Sequence, residues 1–241
     1  MRALLVANIC DADSGFVGQS LRMRGYAFTE VLREHHEQWV SRISELINQA
    51  DLVLSLGSSW SAYWPEVAPS VEAEASLLCL AHKQGVPILG ICFGAQMLAH
   101  ALGGRVFPAL QPEIGWCSVQ ASDPQSPAGA VLAGEWMQWH GDTFEPPMNS
   151  EVLAHSDRAT QAFRLGKSLA IQFHPEATES VVSQWSAGQG QCELIGAGVD
   201  PHELLALTRA NVIDAQERCD GLVSWFLTDI AGRSTSHKST Y

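Results

Sequence analysis

The stretch Val86-Pro-Ile-Leu-Gly-Ile-Cys-Phe-Gly-Ala-Gln96 decides how the rest of the chain is read. A short apolar run ends in Gly90-x-Cys92-x-Gly94. A helical pattern, Gln96-Met-Leu-Ala-His-Ala-Leu102, starts at once and is closed by Gly103-Gly104. A buried strand that turns sharply into a helix through a glycine-framed residue has the form of a nucleophile elbow. A Cβ on either framing glycine would strike the neighbouring strand or helix. Cys92 stands at the tip, at a helix N-terminus, where backbone N–H groups and the helix dipole favour negative charge. By itself the turn suits a packed core thiol as well as a nucleophile, because free Cys is among the most buried residue types.

Upstream of the elbow, residues 3–9 form an apolar run without alternation, as a strand buried on both faces does. Residues 11–28 are Gly-rich and polar and read as a loop or a short helix. Val31 to Gln49 carries apolar residues at 31, 32, 39, 40, 43, 46 and 47, a helical spacing. Residues 51–56 are a second strand, ended by Gly57 and followed by the loop Ser58 to Pro65. Val67 to Gln84 is the next helix, stopped by Gly85. Strand and helix thus alternate through residues 1–102, which predicts a three-layer αβα fold around a mostly parallel, flavodoxin-like sheet. Ligands of such sheets bind beyond the C-terminal strand ends. The loop at 57–61 and Cys92 both fall there.

Downstream, short strand-like pieces at 105–107, 115–120, 135–139, 151–154, 161–165 and 168–173 are punctuated by Pro and Gly. They predict an antiparallel extension of the sheet. Asp123 to Gly129 reads as a surface loop. From Glu179 the pattern is helical again, and Pro201 to Ile230 forms one long helix or two, capped by Asp200. Leu204, Leu205, Leu207, Val212, Ile213, Leu222, Val223, Trp225 and Phe226 are expected to face the core. Residues 1–232 read as one domain and 233–241 as a frayed polar tail.

The 241 residues suffice for a substantial core, and 46% hydrophobic with 17% charged residues is ordinary globular composition. A net charge of −12 argues against nucleic acid as a partner. No apolar run approaches the ~20 residues that span a bilayer, so no membrane is expected. The apolar N-terminus reads as a first strand rather than a signal peptide. Six cysteines, at 10, 79, 92, 117, 192 and 219, form no C-x-x-C pair, so neither a metal nor a redox motif is supported. They are expected to be thiols in a cytoplasmic protein.

The elbow finds its partner far downstream, in Ala170-Ile-Gln-Phe-His-Pro-Glu176. Alternation along an extended chain puts residues i and i+2 on one side, so Glu176 reaches back to the imidazole of His174. Pro175 between them fixes its φ and removes a competing donor. An isolated His-Pro-Glu is most simply a strand-end histidine beside a solvated carboxylate. Together with the elbow it makes a nucleophile, a base and an orienting acid.

Gly90 to Gln96 with Gln172-Phe-His-Pro-Glu176 resembles the class I, or triad, glutamine amidotransferases, in a stand-alone branch similar to the glutaminase domain of GMP synthase. Glu113-Ile-Gly-Trp116 and Gln138-Trp-His-Gly-Asp-Thr-Phe144 also look like motifs of that branch. The resemblance spans about residues 50–180. It implies hydrolysis of the side-chain amide of glutamine through a γ-glutamyl thioester on Cys92, with His174 and Glu176 completing the triad. It implies no cofactor, and ammonia passed to a separate synthetase. It implies oxyanion donors at the backbone N–H groups of Phe93 and Ser58. The family has Gly-Gly-Pro or Gly-Ser-Pro where this chain has Gly57-Ser58-Ser59, so the loop departs from the pattern. Gln96 matches a position that contacts the bound glutamine. His140, Gly141 and Asp142 match the segment that contacts its α-amino and carboxylate groups. Gln96 also reads as a helix-surface amide, residues 140–142 as a Gly-Asp turn, and Trp116 as core or pocket wall. Two other readings stay open. One is a γ-glutamyl peptidase with the same triad, and the other a non-catalytic member using Cys92 as a redox sensor.

Overall fold

The computed structural model describes residues 1–233. In chain order the elements are β1 (Arg2–Ala7), α1 (Gly15–Met23), β2 (Ala27–Leu32), α2 (His36–Trp39), α3 (Ile43–Gln49), β3 (Leu52–Ser55), α4 (Ala68–Lys83), β4 (Ile88–Ile91), α5 (Phe93–Ala101) and β5 (Arg105–Ala121). There follow α6 (Pro127–Leu132), β6 (Gly134–Glu145), β7 (Glu151–His155), β8 (Thr160–Leu165), β9 (Ser168–Ile171), α7 (Glu179–Trp185), α8 (Gln189–Gly196) and α9 (Pro201–Trp225). A π-helical turn, Phe226–Ile230, continues the last helix.

One sheet runs β2-β1-β3-β4-β9-β8-β7-β5-β6. The first five strands are parallel, in the flavodoxin-like order, and the last four add antiparallel neighbours. The central strands carry unbroken apolar runs because both faces are covered. Alternate residues of β1 and β3 divide between two cores. Ala3, Leu5, Leu52 and Leu54 meet Phe16, Val17 and Leu21 of α1 and Leu222, Val223 and Phe226 at the chain's end. Leu4, Val6 and Val53 meet Ile47, Leu77, Leu78, Met97 and Leu98 of α3, α4 and α5. This division is the three-layer architecture expected from the sequence.

Several local expectations are corrected. Residues 11–28 hold the short helix α1, one of the two readings, and beyond that reading the start of the edge strand β2. Val31 and Leu32, assigned to a helix, close that strand, where Val31 pairs with Val6. Pro127 to Gly129, expected in a loop, begins α6, whose cap is Ser126 Oγ accepting from Gly129 N at 3.0 Å. Residues 201–225 form one helix, and Asp200 caps it by accepting from His202 N and Glu203 N at 2.7 and 3.2 Å. Leu207 and Ile213 do not face the core: they are 46% and 69% exposed. Of the polar tail expected at 233–241, all but Arg233 lies outside the described residues. Arg233 Nη2 donates to Asp51 O at 2.8 Å. Among the described residues no helix is long and apolar enough to cross a membrane.

Candidate active site

Three parallel strands deliver the site from their C-terminal ends: β3 through Gly57 and Ser58, β4 through Cys92, and β9 through His174. The turn after β1 adds Cys10 and Asp11. Cys92 has φ 52° and ψ −109°, a left-handed conformation that a non-glycine residue adopts only when its surroundings over-determine it. The framing glycines do so. A Cβ on Gly90 would lie 2.5 Å from Gly94 O, and one on Gly94 would collide with the Ser55 carbonyl. Helix α5 therefore sits directly on the strand ends and holds the thiol at the crossing point. Cys92 is 4% exposed yet lines the cleft, and its Sγ contacts Trp139 O at 3.7 Å.

His174 is carried beyond the end of β9, in a bend rather than on the strand. Its N–H donates to Met137 O at 2.8 Å, so β6 fixes its position. Glu176 reaches it as expected, with Oε1 2.7 Å from His174 Nδ1. A turn achieves this, with Ala177 N approaching His174 O at 3.4 Å, and not the strand alternation that the sequence suggested. Glu176 is held in turn by α1, whose Phe16 N donates to Glu176 O at 3.1 Å. Burial disfavours a charged imidazole here. The Glu176 carboxylate and the adjacent Cys92 outweigh it, and the His174 pKa stands well above the ordinary histidine value. Among the described residues His174 Nε2 has no hydrogen-bond partner. Gly57 packs on the same ring: a Cβ there would come 3.2 Å from His174 Cε1 and 3.7 Å from Cys92 Cβ.

Phe93 and Ser58 border the thiol from two sides. Phe93 is the first residue of α5, so its N–H belongs to the first-turn donors without an intrahelical acceptor. Among the described residues the Ser58 N–H donates to no acceptor, while its Oγ accepts from Trp60 N at 3.1 Å.

The remaining candidates gather on one side of Cys92. Gln96 is buried, not a surface amide, and its Nε2 donates to Asp142 O and Gln172 Oε1, both at 3.3 Å. Residues 140–142 lie within β6 rather than in a turn. His140 Nδ1 is 2.9 Å from Asp142 O, and Tyr63 OH donates to Asp142 Oδ1 at 2.7 Å. The other edge of His140 faces Glu113 Oε2 at 3.3 Å. Glu113 is 4% exposed and accepts from Ser156 Oγ and Gln161 Nε2, each at 3.0 Å. Burial pushes its pKa up, but His140, Ser156 and Arg158 together hold it below the usual glutamate value. Trp116 belongs to the core, with Nε1 donating to Thr208 Oγ1 at 3.1 Å.

A second buried cluster underlies the loop, and nothing in the sequence signals it. Arg33 is fully buried at the end of β2. Its guanidinium meets Glu74 of α4 at 2.7 and 3.1 Å, Asn8 Oδ1 at 2.9 Å, Ser55 Oγ at 3.1 Å, Leu56 O at 2.8 Å and Gly57 O at 3.0 Å. It also lies 4.7 Å over the Phe93 ring. One cation thus anchors the residues on both sides of the thiol.

These features meet in a cleft with two lobes that share Cys92, Ser58, Ser59, Trp139, Gln189 and Glu193. The first, of about 410 Å³, carries Gln96, His140, Gly141 and Asp142. The second, of about 270 Å³, carries His174, Gly57, Asp11 and Trp185. A glycine-framed thiol and a carboxylate-paired imidazole thus face one cleft.

A family model described as "Glutamine amidotransferase class-I" matches residues 16–184. The chain belongs to the class-I glutamine amidotransferase family. Among curated relatives, the glutamine-hydrolysing GMP synthase of a Nostoc species is 37% identical over 141 residues, which is 56% of this chain and 24% of that protein. That of Thermomicrobium roseum is 41% identical over 102 residues, 41% of this chain and 19% of the other. The chain therefore matches about a quarter or less of these relatives. Among solved structures, a glutamine amidotransferase from Thermotoga maritima superposes with a TM-score of 0.81 at 25% identity, covering 97% of this chain and 99% of its own. One from Methylobacillus flagellatus has a TM-score of 0.76 at 20% identity, with 99% and 98% covered, and attests the fold.

Proposed function

We propose that this amidotransferase-family chain hydrolyses a γ-glutamyl amide, with glutamine as the simplest substrate, through a triad of Cys92, His174 and Glu176. The reading rests on one observation: a thiol held at φ 52° shares a cleft with an imidazole whose Nδ1 is 2.7 Å from a buried carboxylate. The glutamyl head would occupy the first lobe, against Gln96, His140, Gly141 and Asp142. Cys92 Sγ would attack the side-chain carbonyl carbon, and the tetrahedral oxygen would be met by the N–H groups of Phe93 and Ser58. His174 would then protonate the departing nitrogen as the C–N bond breaks, leaving a thioester that water cleaves to glutamate. Glu176 orients the ring and balances the imidazolium.

Ammonia from such a site would serve a synthetase acceptor, in keeping with the similarity to glutamine-hydrolysing GMP synthases. Glutamate release from glutamine, and covalent labelling by a glutamine-mimicking diazoketone, should both vanish in Cys92→Ala. Wild-type turnover in that variant would overturn the assignment.

A further inference from the structure

The second lobe is larger than ammonia needs. Ammonia is the size of a water molecule, which occupies ~30 Å³ in the liquid, and this lobe holds about 270 Å³. It also lies on the side of Cys92 from which His174 would protonate a leaving group. Its walls are already built. The Trp139 and Trp185 rings stand edge to face with centroids 6.0 Å apart, and Trp185 lies 4.6 Å from the His174 ring. Trp139 Nε1 donates to Glu193 Oε2 at 3.0 Å, and Gln184 Nε2 donates to Cys10 O at 2.8 Å, tying α8 and α7 to the lobe. Its lining includes two carboxylates, Asp11 and Glu193, and no Lys or Arg; its basic group is the buried His174 imidazole, already paired with Glu176. The Cys10 thiol beside Asp11 is no rival nucleophile: partial burial and the neighbouring carboxylate push its pKa up to about 11.

Building on the proposed function, we infer that the second lobe is a leaving-group subsite for an organic amine with an aromatic or apolar body and no carboxylate. The substrate class is then a γ-glutamyl amide of an arylalkylamine. The same lobe disfavours γ-glutamyl peptides, whose leaving amino acid carries its α-carboxylate toward Asp11 and Glu193. The chemistry balances without a further reagent. The Cys92 Sγ–carbon bond forms, the carbon–nitrogen bond breaks, the proton from His174 goes to the amine, and water then releases glutamate. The departing amine takes up a second proton in water, and the carboxylate rim suits the cation.

The test compares three substrates: glutamine, γ-glutamyl-tyramide and γ-glutamyl-tyrosine, the last two differing by one carboxylate. Two like charges ~4 Å apart in water lose roughly fivefold in association, so with one such contact kcat/KM for the tyramide should exceed that for the tyrosine conjugate by about fivefold. It should also equal or exceed that for glutamine. In the double variant Asp11→Asn, Glu193→Gln the tyramide-to-tyrosine ratio should fall several-fold, and as a ratio on one protein it is insensitive to partial unfolding. Hydrolysis of glutamine without hydrolysis of the tyramide would overturn this inference and leave the proposed function standing. Equal rates on the two tyrosine-derived amides, or an unchanged ratio in the double variant, would also overturn it. Failure on all three substrates, with no diazoketone labelling, would sink the proposed function and the subsite together.

Discussion

Replacing Glu74 by Gln tests whether the buried Arg33 cluster carries both stability and the shape of the site. Arg33 is fully buried and makes two contacts to Glu74, at 2.7 and 3.1 Å. Removing one partner of a buried ion pair leaves an uncompensated charge and costs ~3–5 kcal/mol. In a chain of this size each kcal/mol lowers Tm by ~2–4 °C, so the expected fall is roughly 6–20 °C. Against domain stabilities of ~5–15 kcal/mol, the variant stays mostly folded at 25 °C if the wild type lies above ~7 kcal/mol. Activity should fall as well, because the same guanidinium holds Gly57 O at 3.0 Å and covers the Phe93 ring. Losing an oxyanion donor outright costs ~10²–10³ in kcat. Loosening the two proposed donors, Phe93 and Ser58, through their anchor should cost about tenfold. The assay is a thermal melt followed by circular dichroism, with glutamate release measured at 25 °C. A companion variant, Arg33→Met with Glu74→Leu, removes both charges. It should regain part of the lost Tm, since apolar replacement of a buried pair is often neutral. It should not regain activity, since Leu56 and Gly57 carbonyls lose their donor. A Glu74→Gln melt within about 2 °C of wild type, or wild-type kcat in the double variant, would refute the reasoning.

Three further outcomes follow from the same geometry. Gly57→Ala should lower kcat about tenfold with little change in Tm, because its Cβ would press on His174 Cε1 from 3.2 Å; unchanged kcat would show that the ring has room. Glu113→Gln should raise KM for glutamine several-fold more than it lowers kcat, since Glu113 acts through His140 on the segment that would bind the glutamyl head. Steady-state kinetics separate the two parameters. Because the folded pKa of His174 is raised, its contribution to stability should be fully present below the ordinary histidine value, ~6.5. That contribution should be lost as pH rises through the folded value. The difference in urea-unfolding free energy between wild type and His174→Gln should therefore shrink from pH 6 upward, and a flat difference would refute the pairing.

The primary structure by itself determined the class of fold and the chemical vocabulary of the site. Continuous apolar runs at 3–9, 51–56 and 86–91, separated by helical spacings, leave little choice but a parallel sheet covered on both faces. The Gly-x-Cys-x-Gly turn and His-Pro-Glu are local signals, each legible from residues one or two positions apart. Their meeting and the strain at Cys92 were decided by register, since β4 lies beside β9 with Gly90 opposite Ala170 and Ile91 opposite Ile171. Arg33 shows the limit most plainly. In sequence it is one basic residue in a stretch that reads as an amphipathic helix. Only when β2 takes the sheet edge beside β1 does its side chain enter the core and meet Glu74, Asn8 and the carbonyls after β3. The second lobe is likewise a tertiary product, assembled from the turn after β1, the bend after β9 and helices α7 and α8. The bend, α7 and α8 follow one another in the chain, but the turn after β1 joins them only through tertiary contacts such as Gln184 Nε2 donating to Cys10 O, and no sequence periodicity records that meeting.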